Sequence, residues 1–279
     1  MFKRHNLIDK LFRKEDAQQL KRTRNLRLIP DFENRRGGKV AYAEWAHVIG
    51  IFQTLMYQNL KARQGSQILD IGCGTGLLGI AAEPLVQEGG KYTGIDVLKK
   101  HIDYCQSQFK ASNYQFIHFD VANQMYVRNQ KSELHPWTIE DQSQDMVTAL
   151  SVWTHLKEKD ARFYFKEVAR VLKPGGRAII SMFLLDELYQ ASLPKRENAL
   201  GRYHLTPQKN WVFDTPAYGS KNWFSPGWIK VPEKAMGIKD TGLQLLLEES
   251  ALKKLNYHPG NWKETPGLYF QDILIFEKP

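Results

Sequence analysis

The sequence predicts an α/β fold: a mostly parallel sheet with helices on both faces, preceded by N-terminal helices and interrupted by an aromatic-rich insertion. Three observations predict it. Short apolar runs alternate with amphipathic stretches from residue 67 to 183. A glycine-rich turn, "ILDIGCGTGLLG" (68–79), follows the first apolar run. Between 186 and 240 the alternation fails, and aromatic residues, Pro and Lys accumulate.

The elements follow in order. Residues 39–63 carry a broad apolar face at helical spacing and predict a long helix. "QILDI" (67–71) is a buried strand ending at the glycines. A helix is expected over about 76–88, a strand at 91–95, a helix over about 98–110 and a strand at 114–119. After a polar stretch comes a strand at 145–152, then a helix at 159–172 that Pro174-Gly175-Gly176 stops. "RAIISMF" (177–183) is the next strand, a helix is expected over about 241–255, and the last strand is 268–278. Parallel strands joined by helices are buried on both faces. The domain is expected over 65–279 with 1–64 as an N-terminal helical segment, and 186–240 is expected to cap the carboxyl edge of the sheet, where ligands bind.

The 279 residues carry a net charge of +9. Residues 1–40 hold 12 Lys and Arg against 5 Asp and Glu, so most of that surplus lies there. Leu7, Ile8, Leu11 and Phe12, with Leu20 beyond them, suggest an amphipathic helix within this arm. Two readings stand: a basic helix packed on the domain, or residues 1–36 as a contact for anionic lipid, nucleic acid or a phosphorylated substrate. No apolar run approaches the roughly 20 residues that span a bilayer. The first residues mix acids with bases and lack an apolar core, so neither a secretory signal nor a transit peptide is expected. Cys73 and Cys105 are read as free thiols of a cytoplasmic protein.

The glycine turn has competing readings. A Walker loop is excluded, because no Gly-Lys-Ser/Thr follows. A dinucleotide fingerprint is matched formally by Gly74, Gly76 and Gly79, with Asp96 20 residues beyond Gly76. Against it, Asp70 would set a carboxylate beside a pyrophosphate, and the one Tyr-x-x-x-Lys, Tyr57 and Lys61, lies upstream of the glycines. The longer run Asp70-x-Gly72-x-Gly74-x-Gly76 resembles the first motif of class I S-adenosylmethionine-dependent methyltransferases.

That resemblance covers about residues 65–185, continues faintly to the C-terminus, and implies a Rossmann-like sheet. Glycines let the backbone touch a ligand closely. The resemblance implies that Asp70 helps hold the loop and the α-ammonium of S-adenosyl-L-methionine. It implies that Asp96, in "GID", accepts from the ribose hydroxyls, and that Asp120, in "HFDV", accepts from the adenine amino group. "SVWTHL" and "RVLKPGG" complete the family's order. The segments "VPEKAMGI", "GNW" and "FQDILI" are similar to a pattern in bacterial methyltransferases encoded with glycan-modifying enzymes.

A hydroxyl acceptor needs a proton taken away. His155, after the fourth strand, is the candidate base, with packing under the next helix as the alternative. Asp186, Glu187, His204 and Asp214 are lesser candidates. The cap aromatics Tyr189, Tyr203, Trp211, Phe213, Tyr218, Trp223, Phe224 and Trp228 suit a sugar or another amphipathic molecule, or else form the core of the insertion. The leading expectation is methyl transfer to a hydroxyl of a small or saccharide-containing acceptor. The alternatives are an RNA methyltransferase using the basic arm and a scaffold that binds the cofactor without turnover. No metal is expected.

Overall fold

Among the described residues, ten strands and six α-helices follow the N-terminal arm. The computed structural model describes residues 7, 9–11, 24–37, 39–62, 64–120 and 134–279. The chain divides into two compact units, 1–119 and 120–279.

In the first unit, α1 (Tyr42–Asn59) buries Tyr42, Trp45, Ile49, Phe52 and Met56, one stripe at three- and four-residue spacing. It packs on α2 (Leu77–Ala82), where the Gln53 amide donates to the Ala81 carbonyl at 3.0 Å. Strands β1 (Gln67–Ile71), β2 (Lys91–Asp96) and β3 (Tyr114–His118) run parallel in the order β3-β2-β1. The register sets Asp70 beside Gly94 and Asp96 beside His118. Helix α3 (Lys99–Gln108) connects β2 to β3.

The N-terminal arm is helical at Leu7 and at 9–11, but its inward residue is Asp9. Its carboxylate pairs with the guanidinium of Arg35, which also donates to the carbonyls of Pro30 (2.9 Å) and Val40 (2.7 Å). Leu7 and Leu11 are exposed, contrary to the expected apolar contact with the domain. A buried ion pair ties down this turn; Ile8, Phe12 and Leu20 lie outside the described residues.

In the second unit, β4 (Gln144–Ala149) pairs parallel with β5 (Leu172–Leu185), and α4 (Glu158–Val171) joins them. The helix stops at Val171 as expected, yet the strand begins at Leu172 and not at 177. Pro174-Gly175-Gly176 is absorbed as an irregularity between Gln144 and Met146 of the partner strand, with Gly175 at φ +70°. The Gly175 N–H donates to the Lys278 carbonyl at 2.7 Å, and Lys278 returns a bond to Gly176 at 3.0 Å.

Beyond β5, α5 (Glu187–Ser192) leads into short turns and two small strands, β6 (Thr215–Pro216) and β7 (Trp223–Ser225). Strand β8 (Gly237–Lys239) pairs parallel with the far end of β5, and β7 and β6 continue antiparallel from it. Helix α6 (Asp240–Ser250) ends at Ala251, which adopts φ +58°. The expected helix over 251–255 is therefore replaced by β9 (Lys253–His258), antiparallel to β10 (Asp272–Glu277), which pairs antiparallel with β5. β9 is a largely exposed strand rich in Lys, a composition that protects sheet edges.

Candidate functional site

The glycine loop joins β1 to α2 through three left-handed residues, Gly72 (φ +67°), Gly74 (φ +53°) and Gly76 (φ +90°). A side chain at these angles is strained. The glycines are not equivalent. A Cβ at Gly76 would lie 2.6 Å from the Phe109 ring, so that glycine lets α2 close on its neighbours. A Cβ at Gly74 would meet nothing within 4 Å. Its absence therefore serves no packing; it leaves open space above the loop, as a closely approaching ligand requires.

Asp96, at the end of β2, is buried and grips that loop. One carboxylate oxygen accepts the Gly74 N–H at 2.9 Å, and the other accepts the Leu98 N–H at 2.8 Å, where α3 begins. The residue thus holds the loop and starts a helix. Each oxygen still has a second lone pair for a hydroxyl. His101, which the sequence did not single out, sits in α3 with Nδ1 3.4 Å from Asp96, outside hydrogen-bonding geometry.

Asp70 is wholly buried and accepts the Tyr92 hydroxyl at 2.5 Å. Burial first, and the Asp70 charge next, push the Tyr92 phenol above its ordinary value, so it remains a donor. Thr75 ties the loop to the N-terminal segment by donating to the Asn34 carbonyl at 2.9 Å. Cys73 and Cys105 are free and buried. A hydrogen bond between the thiols, then burial, pushes the Cys73 thiol up, so it is a packing group with little thiolate character. Asp120, just beyond β3, is exposed.

In the second unit, His155 closes the short turn after β4 (Trp153–His155). Its Nδ1 lies 2.7 Å from the Glu233 carbonyl. A carbonyl only accepts, so Nδ1 carries the proton and Nε2 the lone pair. Burial lowers the pKa of this imidazole, and the bond to Glu233 partly opposes that shift. The imidazole is therefore held neutral and in one tautomer. The Glu233 carboxylate accepts the Tyr218 hydroxyl at 2.8 Å, and Tyr218 is an exposed side chain at φ +53°.

The lesser candidates have other work. Asp186 caps α5 by accepting the Tyr189 N–H at 2.9 Å and pairs with buried Lys263 at 2.9 Å. Lys263 also meets Asp272 at 2.9 Å, and Asp272 accepts from the Leu184, Gly260 and Trp262 N–H groups. Desolvation holds Asp272 above the usual carboxylate range, against the Lys263 charge. His204 donates to Glu264 at 2.8 Å. Asp214 and Glu187 are exposed. Among the cap aromatics, Tyr189 and Phe213 pack with Phe183 and Trp262; the Phe183–Trp262 ring centroids lie 5.0 Å apart and Trp211–Phe270 4.9 Å. Trp223 is buried, while Tyr203, Tyr218 and Trp228 are exposed. Most of the set is core, and three members face solvent.

Residues 68–176 match a family described as a methyltransferase domain. With the parallel sheet and the glycine loop, this match supports a class I S-adenosylmethionine-dependent methyltransferase. Among its relatives is a demethylmenaquinone methyltransferase of Bacillus pumilus, 25% identical over 205 residues, which are 72% of this chain and 76% of the relative. A ubiquinone biosynthesis O-methyltransferase of Coxiella burnetii is 27% identical over 213 residues, 76% of each chain. The structure of an S-adenosylmethionine-dependent methyltransferase from Mesorhizobium loti is similar in fold, with a TM-score of 0.52 at 15% identity, covering 80% of this chain and 96% of that one.

Proposed function

We propose that the protein binds S-adenosyl-L-methionine on the glycine loop and methylates a hydroxyl of a small or saccharide-containing acceptor. The observation that carries this is the open space above Gly74 with Asp96 clamped beneath the loop. Gly72, Gly74 and Gly76 give a backbone that can touch the methionine and ribose parts of the ligand. Asp96 accepts from ribose hydroxyls on its remaining lone pairs, and Asp120 from the adenine amino group. Asp70 stiffens the loop through Tyr92 and contributes negative charge toward an α-ammonium. When bound, the cofactor supplies a methyl group on a sulfonium, which an acceptor oxygen displaces.

His155 is the proposed base: its neutral form and fixed tautomer suit Nε2 to take the acceptor proton. The relatives named as O-methyltransferases support a hydroxyl acceptor. Exposed Tyr218, its hydroxyl held by Glu233, offers a flat face of the kind sugars stack on.

Calorimetry with S-adenosylmethionine, its demethylated product and NAD tests the first step. Binding of NAD alone overturns it. Labelled methyl transfer to activated sugars, small phenols and alcohols, lipids and RNA tests the second. Transfer to RNA alone overturns the acceptor class.

A further inference from the structure

Residues 199–210 form a tight hairpin with an apolar tip turned outward. Leu200 bridges Pro207, and the Gly201 N–H donates to the Thr206 carbonyl at 2.9 Å. At the tip Leu205 is 90% exposed and Tyr203 46%, and on the stem Leu200 is 59% exposed. Trp228 is 58% exposed, and its indole N–H ties it to the base of the hairpin through the Asn210 carbonyl at 2.9 Å.

This tip is held in place from behind. His204, between Tyr203 and Leu205, turns inward and donates to Glu264 at 2.8 Å. Its Nδ1 meets the Thr206 hydroxyl at 2.8 Å, and Thr206 accepts from the Trp211 indole at 2.7 Å. The Arg202 N–H donates to Glu264 at 2.9 Å. His204 and Glu264 side chains are 5% and 3% exposed, respectively. Burying an imidazole and a carboxylate is costly unless their hydrogen bonds are made. Here the bonds are made, and their geometric effect is to hold a leucine in water. Exposed aliphatic surface of this kind gains free energy only when something covers it.

The surrounding charge selects the occupant. Residues 193–231 contain six Lys and Arg against two Asp and Glu. Arg202 precedes Tyr203 in the chain, Lys209 lies in the hairpin and Lys230 follows Trp228 by two residues, and all three are exposed. A second copy of this face would bring cation against cation. A polyanion such as RNA would use the cations but give Leu205 and Leu200 no apolar partner. Aliphatic tips, Tyr and Trp at the rim and Lys or Arg around them match the layers of an anionic bilayer: acyl boundary, headgroup level and lipid phosphates. We propose that the 199–210 hairpin, with Trp228, docks the protein on an anionic lipid surface.

The test uses the full chain with phosphatidylcholine vesicles, with and without phosphatidylglycerol, followed by co-sedimentation. Binding is expected with phosphatidylglycerol and should weaken as salt rises. Leu205→Glu and Trp228→Ser should each lower partitioning by about tenfold. The Lys209→Glu/Lys230→Glu pair should remove most of the salt-sensitive part. Melting temperatures should stay near wild type for Leu205→Glu and the lysine pair, whose side chains face solvent, and fall slightly for Trp228→Ser, which gives up the Asn210 bond. Binding that survives the Leu205→Glu/Trp228→Ser double variant overturns the proposal, since the lipid contact then lies elsewhere. A wild-type chain that ignores both vesicles overturns it, as does self-association in sedimentation velocity that Leu205→Glu abolishes.

Discussion

The side-chain carbonyl of Gln271 accepts the Ser151 hydroxyl at 2.9 Å and the Ser181 hydroxyl at 2.7 Å. Ser181 in turn accepts the Ser151 N–H at 2.7 Å. Ser151 lies two residues beyond β4 at φ +61°, an angle that costs a residue with a side chain roughly 1 kcal/mol or more. It also begins the turn that carries His155. Gln271 therefore pins a strained joint through one oxygen and acts on the turn without being part of it.

Chemistry separates two substitutions at Gln271. Gln271→Glu keeps an oxygen that can accept from both hydroxyls. Gln271→Met matches the shape but accepts from neither, leaving the buried Ser181 hydroxyl unmet at about 1–3 kcal/mol and the half-buried Ser151 hydroxyl to solvent. We expect the Glu variant to retain most of kcat. The Met variant should melt lower and lose kcat, with KM for S-adenosylmethionine unchanged. A Met variant that melts lower but keeps wild-type kcat would limit the clamp to stability.

Asp96 is a double acceptor for backbone N–H groups as well as the proposed ribose partner. Asp96→Ala should weaken S-adenosylmethionine by an amount on the order of 1.5–3 kcal/mol and also lower the melting temperature, because Gly74 and Leu98 lose a charged acceptor. Asp96→Asn is not conservative: one oxygen becomes a donor facing another N–H. Calorimetry and thermal melts should find Asn nearly as damaging as Ala. An Asn variant with wild-type affinity would contradict the clamp.

The loop glycines predict opposite phenotypes. Gly76→Ala drives a methyl to 2.6 Å from Phe109 at φ +90°, so it should cost about 1–3 kcal/mol of stability. Gly74→Ala meets open space and should fold with only the cost of its positive φ, about 1 kcal/mol. It should instead lower S-adenosylmethionine affinity, by about tenfold or more. Equal stability losses with unchanged affinity at Gly74 would remove the cradle.

Strands β1 and β2 and the glycine turn were legible because buried parallel strands carry their apolar residues on both faces and glycines punctuate them, whereas β3 at the sheet's end buries only Phe116. β9 was not, because "KKLNYH" is an edge strand whose exposed lysines continue the polar pattern of the preceding helix. The aromatic set drew a ligand reading from composition, and composition does not tell Phe213, packed in the core, from Tyr218, facing water. Asp9 was hidden by the leucines around it, since a buried ion pair has no periodicity. The Gln271 clamp joins Ser151, Ser181 and Gln271 across 120 residues, and no local spacing announces it.

His155 gives the prediction that decides the chemistry. Burial holds its folded pKa below the ordinary value near 6.5, so the folded chain keeps the imidazole neutral where the unfolded chain takes up a proton. Its contribution to stability is complete above the unfolded value and is lost as pH falls through the window down to the lowered folded value. His155→Asn places an amide N–H where Nδ1–H stands, preserving the bond to the Glu233 carbonyl, and removes Nε2. If Nε2 is the base, this variant should keep its fold and its cofactor affinity while kcat falls about 100-fold or more. The acid limb of the kcat profile, expected below pH 6.5, should vanish. The acid-side loss of melting temperature should shrink in the same variant, because the buried titrating group is gone. Wild-type kcat in His155→Asn, with the melting change alone, would leave His155 as an anchor for Glu233 and send the search for the base elsewhere.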